Sequence, residues 1–317
     1  MVDRIILFPG QGAQYPGMGK DLYERSSAVK ELCELASECS HVDLTQVLFA
    51  GDVELLRQTE YTQIAITFVN TASYMLLKEQ GVSADMTAGF SLGELSAYYA
   101  AGIIDLESLF RITALRGKIM AAYAKEITLQ IGELGMAAVI GLDYAYVSSI
   151  IADESLDYLF IANDNSTGQI VLAGVQRSID RISSVLKANG ARRVIPLKVS
   201  GPFHTPLMHR AAEEYGKILE EFAFIDPTIP VYSNVTGEIL KSGNEAKAAC
   251  ALQLTSTVRW TKIVDDIAHR YTNSAYCCYE VGPGKVLTGF WKTGPAKKPC
   301  VPMGTYEALS ARKGVLA

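Results

Sequence analysis

The chain has 317 residues, 49% of them hydrophobic and 20% charged, with a formal net charge of −5. That length can bury a full-sized core, in one large domain or two, and the composition is that of a soluble globular protein. The apolar runs are far too short to cross a bilayer, no basic segment leads into a secretory-type apolar stretch, and no lysine- and arginine-rich run with aromatics suggests nucleic acid.

Residues 4–8, RIILF, read as a short buried strand that runs directly into the glycine-rich PGQGAQYPGMG. Helical patterns follow in DLYERSSAVKELCELASECS and ITFVNTASYMLLKEQG. DMTAGF is a second short strand, and ELSAYYAAG opens a helix directly after Ser91. Strand, glycine-rich turn and helix in repetition predict a parallel sheet with helices on its faces. DLESLFRITALRGKIMAAYA is a further helix.

The pattern then changes. MAAVIGLD reads as a strand, YVSSIIADE as a helix, and YLFIANDNSTGQIVLAGV as a hairpin around Asn-Ser-Thr-Gly. SIDRISSVLKANG is a helix and ARRVIPLKVS a strand. That β-α-β-β-α-β order is the ferredoxin-like pattern. PVYSNVTGEIL and AYCCYEVGPGK read as further strands of the larger sheet. The expected class is α/β. A large α/β-hydrolase-like domain with a mostly parallel sheet spans 1–127 and 199–317, and a ferredoxin-like subdomain is inserted at 128–198.

The six cysteines form no CxxC pair, and none of the four histidines falls near a cysteine at ligand spacing. Reduced, buried thiols in a cytoplasmic protein are the reading this favours over a zinc site.

GFSLG, residues 89–93, fits G-x-S-x-G. Glycines flank a serine where a sharp strand-to-helix turn leaves no room for Cβ atoms, and the helix N-terminus beyond favours a developing oxyanion. The alternative is a packing turn whose serine caps the helix. A serine nucleophile needs a base. His41 and His269 lie in polar helical surroundings, whereas His204 sits in VSGPFHTPLM, bracketed by Pro202 and Pro206. A rigid loop entered from a strand can fix an imidazole, so His204 is chosen over His209.

Arg116 lies on the apolar stripe of its helix with Ile112 and Met120, while Glu107, Arg111 and Lys118 share the polar face. A guanidinium there needs an anionic partner, either a core carboxylate or the carboxylate of a substrate beside Ser91. The opening FPGQGAQYPGMG starts like a dinucleotide fingerprint, but Tyr15 occupies the third glycine position and no Gly-Lys-Ser/Thr follows. Its glycines instead let backbone and Gln11 approach a ligand.

With these residues in hand, the chain resembles the malonyl-CoA:acyl carrier protein transacylase family of fatty acid and polyketide synthesis, from residue 5 to about 292. The resemblance is carried by FPGQGAQYPGMG, YTQIAI, GFSLGELSAYYAAG, ALRGKIM, NDNSTGQIVLAG, VSGPFHTPLM, PVYSNVTG, VRWTKIV and EVGPGKVLTGF in that order. It implies a ping-pong reaction in which Ser91 takes malonyl from malonyl-CoA as an ester and passes it to the phosphopantetheine thiol of acyl carrier protein. His204 would be base and then acid, and the backbone N–H groups of Gln11 and Leu92 would form the oxyanion hole. Arg116 would clamp the malonate carboxylate, and a backbone carbonyl at Gln253 would orient His204. Gln63 and Asn163 match positions lining the same cleft, and Phe203 matches the type that selects malonyl over methylmalonyl. No tightly bound cofactor is implied, and a monomer is expected. Two departures stand out: Phe90 where the family usually has histidine, and Thr167 where it usually has proline.

Rival readings are a serine hydrolase, an acyl hydrolase of the same family, a catalytically silent carrier-binding module, and a stand-alone polyketide acyltransferase. The first fits poorly, because His204 is followed by more than a hundred residues. Retaining Arg116 speaks against an acyl hydrolase, and retaining Ser91, His204, Arg116 and Gln11 together against a silent module. An acidic carrier protein needs a basic landing patch. Arg192, Arg193 and Lys198, or Lys285, Lys292, Lys297 and Lys298, are candidates.

Overall fold

The computed structural model describes residues 2–50, 53–197 and 201–313. Strand β1 (Asp3–Phe8) is followed by helices α1 (Lys20–Arg25), α2 (Ser27–Ser40), α3 (Leu44–Phe49), α4 (Val53–Arg57) and α5 (Thr59–Glu79). Then come β2 (Met86–Gly89), α6 (Gly93–Ala100), α7 (Leu106–Ile131), β3 (Leu134–Ile140) and α8 (Tyr144–Glu154). A hairpin of β4 (Leu159–Ser166) and β5 (Gln169–Val175) leads to α9 (Gln176–Ala188) and β6 (Arg193–Leu197). Beyond it lie α10 (His209–Leu219), α11 (Gly243–Leu252), β7 (Val258–Arg259), α12 (Trp260–Arg270), β8 (Tyr276–Glu280), α13 (Val286–Thr293), β9 (Cys300–Pro302) and α14 (Tyr306–Lys313).

Two sheets result. The first, in the order β2-β1-β8-β9, is parallel throughout. Its central strand explains why RIILF is apolar without alternation, since both faces are covered. Ile6 and Phe8 pack with Leu32, Phe68 and Ile112 from α2, α5 and α7, while Ile5 and Leu7 pack on the opposite side with Tyr232, Trp260 and Trp291. The second sheet runs β6-β3-β5-β4-β7, antiparallel except for the last pair. The period of two sorts its residues as well. Ala137, Val139, Ile170 and Leu172 face α8 and α9, and Met136, Ala138 and Val171 face the other way, toward the first unit.

The structure departs from the sequence pattern in several places. The helical region at 21–40 is broken at Ser26, whose backbone is extended and whose hydroxyl caps α2 by accepting from Val29 N at 3.3 Å. Helix α5 begins at Thr59, upstream of the expected Ile66, which brings Gln63 onto it. PVYSNVTGEIL is not a further strand. Among the described residues it makes two isolated bridges, Thr87 to Val231 and Tyr232 to Ile239. Pro230 has no N–H to extend the pairing, and Asn234 is drawn inward to polar partners described below. Strand β7 joins the second sheet from a segment expected to belong wholly to the large unit, and α7 runs past residue 128 to Ile131. Lys198 lies outside the described residues. Among the described residues no helix is long and apolar enough to cross a membrane, and all six cysteines are free.

Candidate active site

Ser91 occupies the turn between β2 and α6 with φ of 50°, in the left-handed region that side chains seldom adopt. The flanking glycines are required by close approach. A Cβ on Gly89 would lie 1.9 Å from the Gly93 carbonyl carbon, and one on Gly93 would lie 2.1 Å from the Phe8 carbonyl oxygen. The strain is held by a residue that sequence reasoning did not single out. Asn234 accepts a hydrogen bond from Ser91 N at 2.6 Å through its Oδ1 and donates from Nδ2 to the Gly89 carbonyl at 2.7 Å. Both ends of the turn are thereby tied to one buried amide, and the only signal for it was a polar residue inside the strand-like PVYSNV.

His204 also has a positive φ, 62°. Its Nε2 lies 2.7 Å from Ser91 Oγ, and its Nδ1 lies 2.8 Å from the backbone carbonyl of Gln253. A carbonyl can only accept, so Nδ1 carries the proton and Nε2 is left to accept from the serine hydroxyl. Burial, and next the Arg116 charge, push the imidazole down from 6.5 to about 4. It is therefore neutral, the form a general base needs. The other three histidines are exposed.

Arg116 projects from α7 and is 1% exposed. It donates to Gln63 Oε1 at 2.9 Å and to Gln253 Oε1 at 2.7 Å, and it reaches Ser91 Oγ at 3.5 Å. Among the described residues these hydrogen-bond partners are all neutral. Burial draws the guanidinium below its usual range, yet an arginine does not give up its proton. A full positive charge thus sits in the interior beside the serine, held by amides.

These groups share a cleft lined also by Gln11, Phe90, Asn163 and Phe203. Gln63 does not line it. The side chain lies behind Arg116, with Nε2 3.3 Å from Met120 Sδ. Leu92 is fully buried, and among the described residues neither its backbone N–H nor that of Gln11 has a hydrogen-bond partner. Phe90 packs edge to face on Trp260, with ring centres 5.4 Å apart, and against Phe290 at 5.7 Å. An apolar cluster therefore stands at this position, and among the described residues Trp260 Nε1 finds no partner. The second sheet supplies the facing wall through Met136, Ala138, Val171, Asn163 and Asn165. Asn165 is a further residue the sequence did not single out, and its buried Oδ1 has no partner among the described residues. Exposed Lys285 precedes the cleft residue Val286, and exposed Arg193 opens the strand that ends at the cleft residue Leu197. Among the described residues no group of three histidine, cysteine or acidic side chains could hold a metal ion.

A neutral base on a serine, a buried cation beside that serine and an open cleft can perform acyl transfer through a serine ester on a substrate carrying an anion. Comparison with known proteins agrees with that chemistry. Residues 5–288 match the family described as acyl transferase domain. The malonyl CoA-acyl carrier protein transacylase of Bacillus subtilis is 37% identical over 289 residues, covering 90% of this chain and 89% of that protein. The enzyme of the same name from Escherichia coli is 38% identical over 295 residues, covering 92% and 93%. An acyl carrier protein S-malonyltransferase from Vibrio cholerae, solved by crystallography, superposes with a TM-score of 0.90 at 36% identity, covering 98% of this chain and 99% of that one.

Proposed function

The chain belongs to the malonyl-CoA:acyl carrier protein transacylase family of acyl transferases, and from that premise we propose the roles of its residues in moving malonyl from malonyl-CoA to the phosphopantetheine thiol of an acyl carrier protein. Ser91 Oγ attacks the thioester carbonyl while its proton passes to His204 Nε2. The carbonyl π electrons move to oxygen, and the backbone N–H groups of Gln11 and Leu92 receive that oxyanion. On collapse the C–S bond breaks, and His204 returns the proton to the departing CoA sulfur. The carrier thiol then enters, gives its proton to His204 and attacks the malonyl ester. The proton finally returns to Ser91 Oγ. Arg116 holds the malonate carboxylate through both steps, with Gln63 holding Arg116 from behind. Gln253 orients His204, Asn163 lines the acyl site, and Phe203 narrows the space beside the α-carbon.

The observation that carries this reading is Arg116: a buried guanidinium, 3.5 Å from Ser91 Oγ, bonded to neutral amides. A hydrolase acting on neutral acyl groups has no use for it. Fatty acid biosynthesis in the cytoplasm is the setting we assign, with a monomeric enzyme. The basic residues Arg193 and Lys285 beside the cleft are the assigned landing points for the acidic carrier. The β3-α8-β4-β5-α9-β6 order supports a ferredoxin-like subdomain at 128–198 within a large hydrolase-like unit of 1–127 and 199–317.

The test is intact mass after incubation with malonyl-CoA. A malonyl adduct on the wild type, absent in Ser91→Ala, weak in Arg116→Ala and discharged by holo carrier protein, is the expected result. An adduct lost to water as fast as to carrier protein would sink the transferase reading.

A further inference from the structure

Glu94 lies one turn into α6 and is 1% exposed. A buried carboxylate is costly unless it is paired or well hydrogen-bonded. Three donors converge on it: Tyr98 Oη at 2.7 Å, the backbone N–H of Asn234 at 3.3 Å, and Gln253 Nε2. None of these is charged, so among the described residues no direct ion pair explains its place. Burial pushes its pKa up to about 7, against the pull of these donors and of the Arg116 charge, so the group is a carboxylate above that pH and the role argued below belongs to that range.

The amide of Gln253 is what connects it to the reaction. Its Nε2 donates to Glu94 and to the Ser91 carbonyl at 3.1 Å, and its Oε1 accepts from Arg116 at 2.7 Å. A guanidinium can only donate, and a carboxylate and a carbonyl can only accept, so these partners leave one orientation for the amide. Turned over, it would set an NH2 group against the guanidinium and an oxygen against two acceptors. The same residue's backbone carbonyl receives His204 Nδ1–H.

We propose that Glu94 is the positioning residue for Arg116: it fixes the Gln253 amide and supplies the negative charge that balances the guanidinium. The pair is separated by the amide, and that separation has a use. A carboxylate in direct contact would occupy the guanidinium fork, whereas an amide-bridged one compensates the charge and leaves donors free for the substrate carboxylate. This role rests on the transfer reading above, in which Arg116 binds malonate.

The experiment compares wild type, Glu94→Gln, Arg116→Met and the double variant in two measurements at pH 8, where Glu94 is ionised. The first is transfer from malonyl-CoA against acetyl-CoA, which lacks the carboxylate. Glu94→Gln is expected to lower the malonyl-to-acetyl ratio of kcat/KM at least tenfold, mainly by raising KM for malonyl-CoA. In the Arg116→Met background the same change is expected to alter that ratio less than twofold. Equal loss on both substrates, or a ratio within twofold of wild type, overturns the proposal. The second measurement is folding stability, which needs no activity. The two single variants are expected to lose more together than the double variant does. If Glu94→Gln alone does not fold, recovery of folding in the double variant supports the balancing charge, and failure to recover overturns it. A wild type that takes no malonyl from malonyl-CoA defeats the transfer reading, and the stability cycle still decides whether the two charges are coupled.

Discussion

The two walls of the cleft are built on opposite plans. On the side of the parallel sheet every reactive group is immobilised by polar contacts: Ser91 by Asn234, His204 by the Gln253 carbonyl, Arg116 by Gln63 and Gln253. On the facing side the second sheet presents Met136, Ala138 and Val171, with the asparagines 163 and 165 as polar points. Preorganised dipoles stabilise developing charge, whereas apolar surface discriminates by volume. The contrast teaches that one sheet holds the chemistry and the other sets the shape.

The sharpest break in that division is Ser91→Ala, expected to lower transfer by more than roughly a thousandfold, as for other serine nucleophiles, measured as loss of the malonyl adduct. Next is the proton balance at His204, whose pKa falls from 6.5 to about 4 on folding. Between those values the unfolded chain binds a proton that the native imidazole refuses. The favourable contribution is therefore whole above pH 6.5 and is lost as the pH drops toward 4, by about 3 kcal/mol. His204→Gln lacks this loss, so urea unfolding at pH 8 and pH 4 should show wild type losing ground to the variant in acid. An unchanged difference between the two pH values would mean that His204 is not held neutral by burial.

Arg116→Ala follows. Losing charge-assisted hydrogen bonds worth about 1.5–3 kcal/mol predicts a fall of roughly 10- to 150-fold in kcat/KM for malonyl-CoA. Acetyl-CoA should be nearly unaffected, and an equal loss on it would reassign Arg116 to the fold. Smaller still is Phe203→Ala, which should raise methylmalonyl over malonyl transfer by up to about tenfold, within the modest reach of shape selection. Met136→Ala tests the facing wall: turnover of malonyl-CoA within about threefold of wild type is expected, while a hundredfold loss would erase the distinction between the walls.

Much of the reactive side could be read without coordinates because its residues break local rules. Ser91 stands between glycines on a turn, His204 sits in a proline-bracketed loop, and Arg116 interrupts an apolar stripe, each visible within a few positions of itself. Gln253 came only through family resemblance, since its part is played by a backbone carbonyl. Asn234 and Glu94 stayed hidden for a related reason. Asn234 braces a backbone 143 positions away, and Glu94 looks in sequence like an ordinary acidic residue in a first helical turn. The strand expected at PVYSNVTGEIL failed because polar demands within it outweighed β-propensity. Strands β7 and β9, of two and three residues, are too short for any period to register.

Strand β7 has a further effect. It pairs Val258 with Asn163 and Arg259 with Asp164, and Thr261 Oγ1 locks the same place by donating to Asp164 Oδ1 at 2.7 Å. A few positions upstream, the same run of backbone offers the Gln253 carbonyl to His204. Residues 253–259 thus act as a caliper: one jaw grips the imidazole, the other grips the hairpin opposite. The gauge between base and acyl wall is written into the length of that single segment. A hairpin grafted from a relative will be read at the host's setting unless 253–259 travels with it.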